Sequence, residues 1–317
     1  MARHEAEQTI VTGMGGWDLF PFQGPFYPSR IPKGFRKLAF YSRHFDMIEV
    51  NATFYNTDFQ PFHVRRWLED VRENDRFTFT VKLFRGYTHS YDATKSDLQR
   101  IYRMLDAFQE SGRLGGVLLQ FPGSLKNRKE CRDYLYRLSH AFRRYRMFLE
   151  LRHGSWDTPL MHNFFQENRY HLVNVDLPAV NDHVPFRSLA WDGAAYFRMM
   201  GRNAAAWNAP WRLEPDGRHM VSDRYAYRYS EEELVALAAS VRALDPAVAK
   251  TVYVVFHNDP QAQSIANGFR LRHLLAPERP LAIPPTTLRA FPALREISAP
   301  ASSWAVRPEA AEPMLAL

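Results

Sequence analysis

The segment 148–156, FLELRHGSW, opens on apolar residues and then sets Glu150, Arg152 and His153 within four positions, ahead of Trp156. On an extended chain successive side chains alternate faces, so Glu150 and Arg152 share a face opposite Leu149 and Leu151. The same alternation recurs along the chain. Glu49, Asn51 and Thr53 oppose Ile48 and Val50, and Thr78, Thr80 and Lys82 oppose Phe77, Phe79 and Val81. Leu118 and Gln120 oppose Val117, Leu119 and Phe121. Asn174 and Asp176 oppose Val173 and Val175, and Tyr196 and Arg198 oppose Phe197 and Met199. Each segment has one apolar face and one that turns polar toward its C-terminal end. If the polar faces share an axis, Glu49, Lys82, Gln120, Glu150, Arg152, Asp176 and Arg198 converge. A further segment, 251–258, leaves open whether His257 or Asn258 joins them.

Such a set suits an anionic ligand. Lys82, Arg152 and Arg198 could hold the anion, arginine through a two-point fork. Glu49 or Glu150 is then the candidate general base, and His89 or His153 the candidate acid. His153 has the parity opposite to Arg152, which equally fits a capping or packing role. Asn51, Gln120 and Asn258 are candidate polar contacts, and Trp17, Tyr55 and Trp156 are candidates to stack on a sugar or base. A divalent ion (Mg²⁺, Mn²⁺ or Zn²⁺) would find ligands in Glu49, Glu150, Asp176 and His257, with His89 as a further donor. No H-x-H or H-E-x-x-H spacing occurs, and the neighbouring cations would repel a metal. The preferred reading is therefore a site without metal, with the cofactor left open. A competing view is that the acids and bases neutralise each other in a buried ion network without chemistry. Against it stands the cost of burying so many charges.

These residues need strands to carry them and helices to cover the apolar faces. Strand-like segments fall at 10–17, 47–54, 76–83, 116–121, 147–152, 171–176, 194–200 and 251–258, rich in β-branched and aromatic residues and bounded by turns. Helical spacing falls between them, at 33–44, 95–110, 127–143, 157–168, 230–243 and 260–275. Thr94 with Asp97 and Ser230 with Glu233 read as capping boxes. Asp157 reads as a helix cap, with Pro159 in the first turn. Eight strands alternating with helices predict a closed (β/α)₈ TIM barrel over residues 1–275, with a doubly wound open sheet as the runner-up. The connection after the sixth strand is weak in helical pattern. The stretch 201–229 is a long loop of the kind that serves as a lid or binding loop. Residues 276–317 are expected to be a Pro-rich tail, extended or partly mobile: from Pro277 onward it holds eight of the 21 prolines.

With 317 residues, 46% of them hydrophobic, there is ample material for a core. Cys131 is the single cysteine, so no intrachain disulfide forms. The start, MARHEAEQTI, has no apolar signal region, and no run approaches the ~20 apolar residues of a membrane span. The expectation is a cytoplasmic protein without a membrane partner. The net charge of +7 is compatible with nucleic acid or a small anionic ligand. Seven of the 41 basic residues are lysine, however, and many of the arginines sit on helix faces that look solvated.

Several motifs together resemble the YecE-like family, domain of unknown function 72. They are GMGGW (13–17) with GPFYP (24–28), EVNATFY (49–55), FTFTVK (77–82), TH (88–89), LLQFP (118–122), LRHGSW (151–156), GRN (201–203) with YSEEEL (229–234), and FHND (256–259). The resemblance implies a TIM barrel and supplies no activity. That family usually has Ser where Gly15 stands, His where Met200 stands and Asn-Asn where His257 and Asn258 stand. The function expected from the residues is an enzyme, a hydrolase or isomerase, acting at the C-terminal mouth on a phosphorylated sugar, nucleotide or phosphodiester. The alternative is a non-catalytic module binding nucleic acid or a small anionic ligand.

Overall fold

The computed structural model describes residues 8–180, 182–213 and 220–300. Eight parallel strands carry the frame: β1 (Thr9–Met14), β2 (Met47–Val50), β3 (Thr78–Lys82), β4 (Leu114–Gln120), β5 (Met147–Glu150), β6 (Tyr170–Asp176), β7 (Ala194–Met199) and β8 (Thr251–Phe256). Each pairs with the next, and β8 pairs with β1 from Thr9–Thr251 to Met14–Phe256, so the sheet closes into the expected barrel. The helices are α1 (Lys37–Ser42), α2 (Pro61–Asp70), α3 (Arg85–Thr88), α4 (Lys95–Glu110), α5 (Lys129–Phe142), α6 (Pro159–Glu167), α7 (Glu231–Arg242), α8 (Gln263–Leu275) and α9 (Pro285–Ala290).

Closure divides the apolar residues in two. Ile48, Val50, Phe79, Val81, Val117, Leu119, Leu149 and Phe197 face outward and pack under the helices. Val11, Met47, Leu118, Phe148, Val173, Val175, Tyr196, Tyr253 and Val255 fill the interior. Interior side chains make the barrel a packed core rather than a pore, and ligands are left the C-terminal mouth.

Local chemistry fixes the helix starts. Thr94 Oγ1 accepts from Asp97 N–H while the Asp97 carboxylate accepts from Thr94 N–H, opening α4. Ser230 and Glu233 do the same for α7. The start of α6 differs from expectation. Thr158 is the cap, accepting from Met161 N–H, and Asp157 instead pairs with Arg187. Pro159 leaves the position before it extended, as a cap requires.

Helix α6 packs on β6, but among the described residues no helix follows β6 before β7. The described part of the crossover 177–193 runs as a loop, and loop backbone needs polar partners that a helix would not. Asn174 supplies them: its amide donates to Leu189 O at 2.9 Å and its carbonyl accepts from Leu189 N–H at 2.8 Å. Asn174 and Asp176 therefore face outward and Val173 and Val175 inward, the reverse of the expected parity for this strand.

The stretch from 276 was expected to be an extended arm. Up to residue 300 it is built into the fold. Ile283, Phe291, Leu294 and Ile297 are buried in the outer core, and Thr286 Oγ1 donates to Phe26 O at 2.7 Å. Its prolines start α9 and the 3₁₀ turn Pro292–Ile297 rather than extending the chain. Residues 301–317 lie outside the described residues.

Candidate site at the barrel mouth

Arg198, near the end of β7, sits on the axis as the hub of the mouth. Its Nε and Nη2 donate to the two oxygens of Glu49 on β2, at 3.1 and 2.9 Å, and its Nη1 donates to Glu150 on β5 at 2.6 Å. Glu49 also accepts from Tyr196 Oη at 2.8 Å and from His257 Nε2 at 2.9 Å. Glu150 also accepts from Arg152 Nε at 2.7 Å. Both carboxylates are fully buried and Arg198 is 2% exposed. Three strands are thus tied across the barrel by hydrogen-bonded charges, and His257, just after β8, joins them through Glu49.

This geometry argues against three of the expected roles. Burial is the largest single influence and would raise both carboxyls, but the charges and hydrogen bonds of their partners together outweigh it: Arg198 with His257 holds Glu49 well below the usual range, and Arg198 with Arg152 holds Glu150 at about 2. Neither is a base suited to neutral pH, and Glu49 has all four acceptor positions taken. Arg198, expected to grip substrate, is spent on the two carboxylates. The residues of the alternative metal set are not gathered around one point. Glu49, Glu150 and His257 surround a guanidinium, and Asp176 points away, to Arg202 Nε at 2.9 Å and Tyr229 Oη at 2.6 Å. Among the described residues no three His, Cys, Asp or Glu side chains are grouped to hold a metal.

Strand β8 resolves its ambiguity in favour of His257. Its imidazole enters the mouth because β1 offers only Gly15 opposite it: a Cβ there would lie 1.8 Å from His257 Cε1. Burial and then the charge of Arg198 push His257 down to about 4, so a neutral ring donates to Glu49. Asn258, expected to contact substrate, faces the helices and donates to Tyr227 O and Asn267 Oδ1. Trp156 is likewise withdrawn: its indole N–H donates to Leu125 O at 2.7 Å and its ring packs on Phe165. Trp17 stacks edge-on with Trp67 at 5.4 Å. His153 caps a 3₁₀ turn, its Nδ1 accepting from Ser155 N–H.

Other expected residues do gather at the mouth. Lys82 ends β3, its carbonyl held by Thr53 Oγ1 at 2.7 Å and its Nζ 4.1 Å from the centre of the Phe54 ring. His89, closing α3, lies edge-on to the same ring at 4.8 Å, with Nδ1 2.9 Å from Thr88 Oγ1. Tyr55 stands beside Phe54 and is 69% exposed. Gln120, at the end of β4, is buried and donates to Phe121 O. Asn51 donates to Gly15 O at 2.6 Å, while its own carbonyl oxygen has no hydrogen-bond partner. Among the described residues Arg152 engages only its Nε, and its backbone is held from the side by Val184 N–H.

The sequence did not single out Phe54, Trp207 or His183. Phe54 follows β2 in a 3₁₀ turn, Ala52–Phe54, that places its ring under Lys82. Trp207 comes from the long 201–229 loop and is buried in the interior cluster with Met200, its ring edge-on to His183 at 5.4 Å. Through His183 it packs on the crossover segment whose Val184 N–H holds Arg152 O. The loop is tethered by the GRN and YSEEEL motifs. Arg202 bridges Asp176 and Glu233, and Gly201 N–H donates to Tyr229 Oη. Gly201 sits at φ +88°, where a Cβ would meet Tyr227 at 2.8 Å. For Trp207 the one signal in the sequence was the length of that loop.

Fold and site together define a (β/α)₈ barrel whose mouth is braced by buried ion pairs and fringed by a lysine, an arginine and a histidine. The family model described as "Protein of unknown function DUF72" matches residues 11–289, and the chain belongs to that family. The match runs through α8 into α9, in keeping with the docking of that segment. A curated relative, the UPF0759 protein YunF of Bacillus subtilis (strain 168), is 29% identical over 282 residues, 84% of this chain and 94% of the relative. A DUF72 family crystal structure from Thermotoga maritima is 28% identical with TM-score 0.70, covering 86% of this chain and 100% of that one. One from Enterococcus faecalis is 26% identical with TM-score 0.69, covering 84% and 95%. No helix among the described residues is long and apolar enough to cross a membrane.

Proposed function

We propose that the chain is an enzyme acting on a small anionic substrate, a phosphorylated sugar, nucleotide or phosphodiester, at the mouth of the barrel where Lys82, His89 and Arg152 end their segments. One observation carries this. Arg152 and Lys82 are the mouth cations that the Glu49–Arg198–Glu150 network leaves with donors to spare. Among the described residues Arg152 commits only Nε, and Lys82 Nζ rests on an aromatic face rather than a carboxylate. A guanidinium with two outer nitrogens suits a tetrahedral oxyanion.

The proton carrier in this reading is His89. Burial, then the charges of Lys82 and Arg152, push it down to about 4. It is neutral at pH 7 and serves as acceptor, so the base role first given to a carboxylate passes to the imidazole. The buried ion pairs hold the geometry, and exposed Tyr55 offers a face for a sugar or base.

Thermal unfolding with inorganic phosphate, sugar phosphates, nucleotides and oligonucleotides tests the reading. Anions are expected to raise the melting temperature, with the gain lost in Arg152→Gln and reduced by salt. A gain without turnover of any compound would leave a binding module. If no anion stabilises the wild type, the reading fails.

A further inference from the structure

We infer that Lys82 is a nucleophilic amine that condenses with the carbonyl group of an aldehyde or ketone to form an iminium. The geometry points to this class of chemistry. Lys82 stands at the C-terminal end of a barrel strand, where reacting groups of such barrels sit. Its Nζ has no hydrogen bond or ion pair among the described residues, and its nearest recorded partner is the Phe54 ring. An ammonium would be expected to seek Glu49 or Glu150, yet Arg198 and Arg152 already occupy those carboxylates. Lys82 is thus the surplus cation beside a network whose two acids and two arginines balance.

The electrostatics agree with the placement. Burial is the main cause, followed by the charge of Arg198, and the attraction of Glu49 and Glu150 offsets them only in part, so the amine is pushed down to about 7. A substantial share is then unprotonated near neutral pH, as amine nucleophiles require. The phenyl face tolerates the neutral amine as well as the cation, and Thr53 fixes the backbone that presents it.

The step balances without a further reagent. The Nζ lone pair attacks the carbonyl carbon, a C–N bond forms, and the C=O π pair moves to oxygen. A proton passes from nitrogen to that oxygen, giving a carbinolamine, with the neutral imidazole of His89 as the carrier. The hydroxyl then leaves with one proton from solvent. Amine, carbonyl compound and one proton become iminium and water. The inference rests on the anion-binding reading only for the far end of the carbonyl compound, where Arg152 would meet a phosphate.

Reductive trapping decides the matter. Wild-type protein is treated at pH 7 with sodium cyanoborohydride and either dihydroxyacetone phosphate or dihydroxyacetone, and adducts are mapped by mass spectrometry. One adduct on Lys82 is expected, forming at least roughly tenfold faster than on the other lysines. Its rate should follow a single ionisation near 7 and vanish in Lys82→Arg. Adducts spread over the seven lysines, or a rate that keeps rising to pH 10, would overturn the inference. The two proposals fail separately. If dihydroxyacetone labels Lys82 as fast as its phosphate, the amine stands and the anion site falls. If phosphate stabilises the protein but neither compound labels Lys82, the anion site stands and the amine falls.

Discussion

At the scale of single residues, the mouth separates carboxylates held by several partners from a lysine held by an aromatic face. Glu49 accepts four hydrogen bonds and is fully buried, so its loss would leave Arg198 partly unpaired in the interior. Glu49→Gln is expected to cost about 3–5 kcal/mol in urea unfolding, the usual penalty for breaking a buried pair. Lys82 behaves in the opposite sense. Its amine is lowered from 10.5 to about 7 on folding, so between those values the unfolded chain binds more protons and stability rises with pH. Below 7 the folded state bears the full cost of the buried charge. Lys82→Met should therefore exceed the wild type in melting temperature most at pH 6, with the advantage shrinking toward pH 10. A constant difference across that range would count against the lowered amine.

Among the elements, the strand ends were largely legible and one strand was not. Period-two alternation located Glu49, Lys82, Glu150, Arg152 and Arg198 on inward faces, because a closed sheet leaves the outer face apolar for helices. The rule failed at β6, where a loop replaces the helix and recruits Asn174 for its backbone. Nothing local to VNVD distinguishes a polar residue serving a loop from one serving a ligand. Trp156 and Asn258 failed for a related reason: each satisfies a backbone or amide partner in the outer layer, a demand set by distant segments. The bonding state of Glu49 and Glu150 was also hidden, since charge balance in a list does not say which acid meets which base. The β1–β8 contact yields a sharper expectation. Gly15→Ser should cost about 1–3 kcal/mol by overpacking against His257. In a His257→Asn background the same change should cost less, and a double-mutant cycle by denaturant unfolding measures the coupling.

Across the whole molecule, the ion network joins β2, β5 and β7 across the barrel, with His257 just after β8, so its protonation is felt globally. Folded Glu150 lies near 2 and Glu49 well below its ordinary 4.5. Both contribute stability that is present above about 4.5 and lost as pH falls toward 2. Urea midpoints measured from pH 6 to 2 should therefore fall most steeply below 4.5. The segment after α8 is another global contributor. Leu294 is 4% exposed in the outer core, and Leu294→Ala should cost about 2–5 kcal/mol rather than the near-zero value of a loose tail.

The crossover over β6 divides two properties that most barrel segments share. Its described residues form no helix, yet Val184 N–H holds Arg152 O, and Gly154 N–H, two residues on, is held by Asp182 O. A change of length or residue within it is therefore transmitted to the anchoring of Arg152, while the ring of strands stays closed on its own ladder. In evolutionary terms such a segment is a dial: selection on it would retune what the mouth prefers while the barrel that displays the site stays as it is.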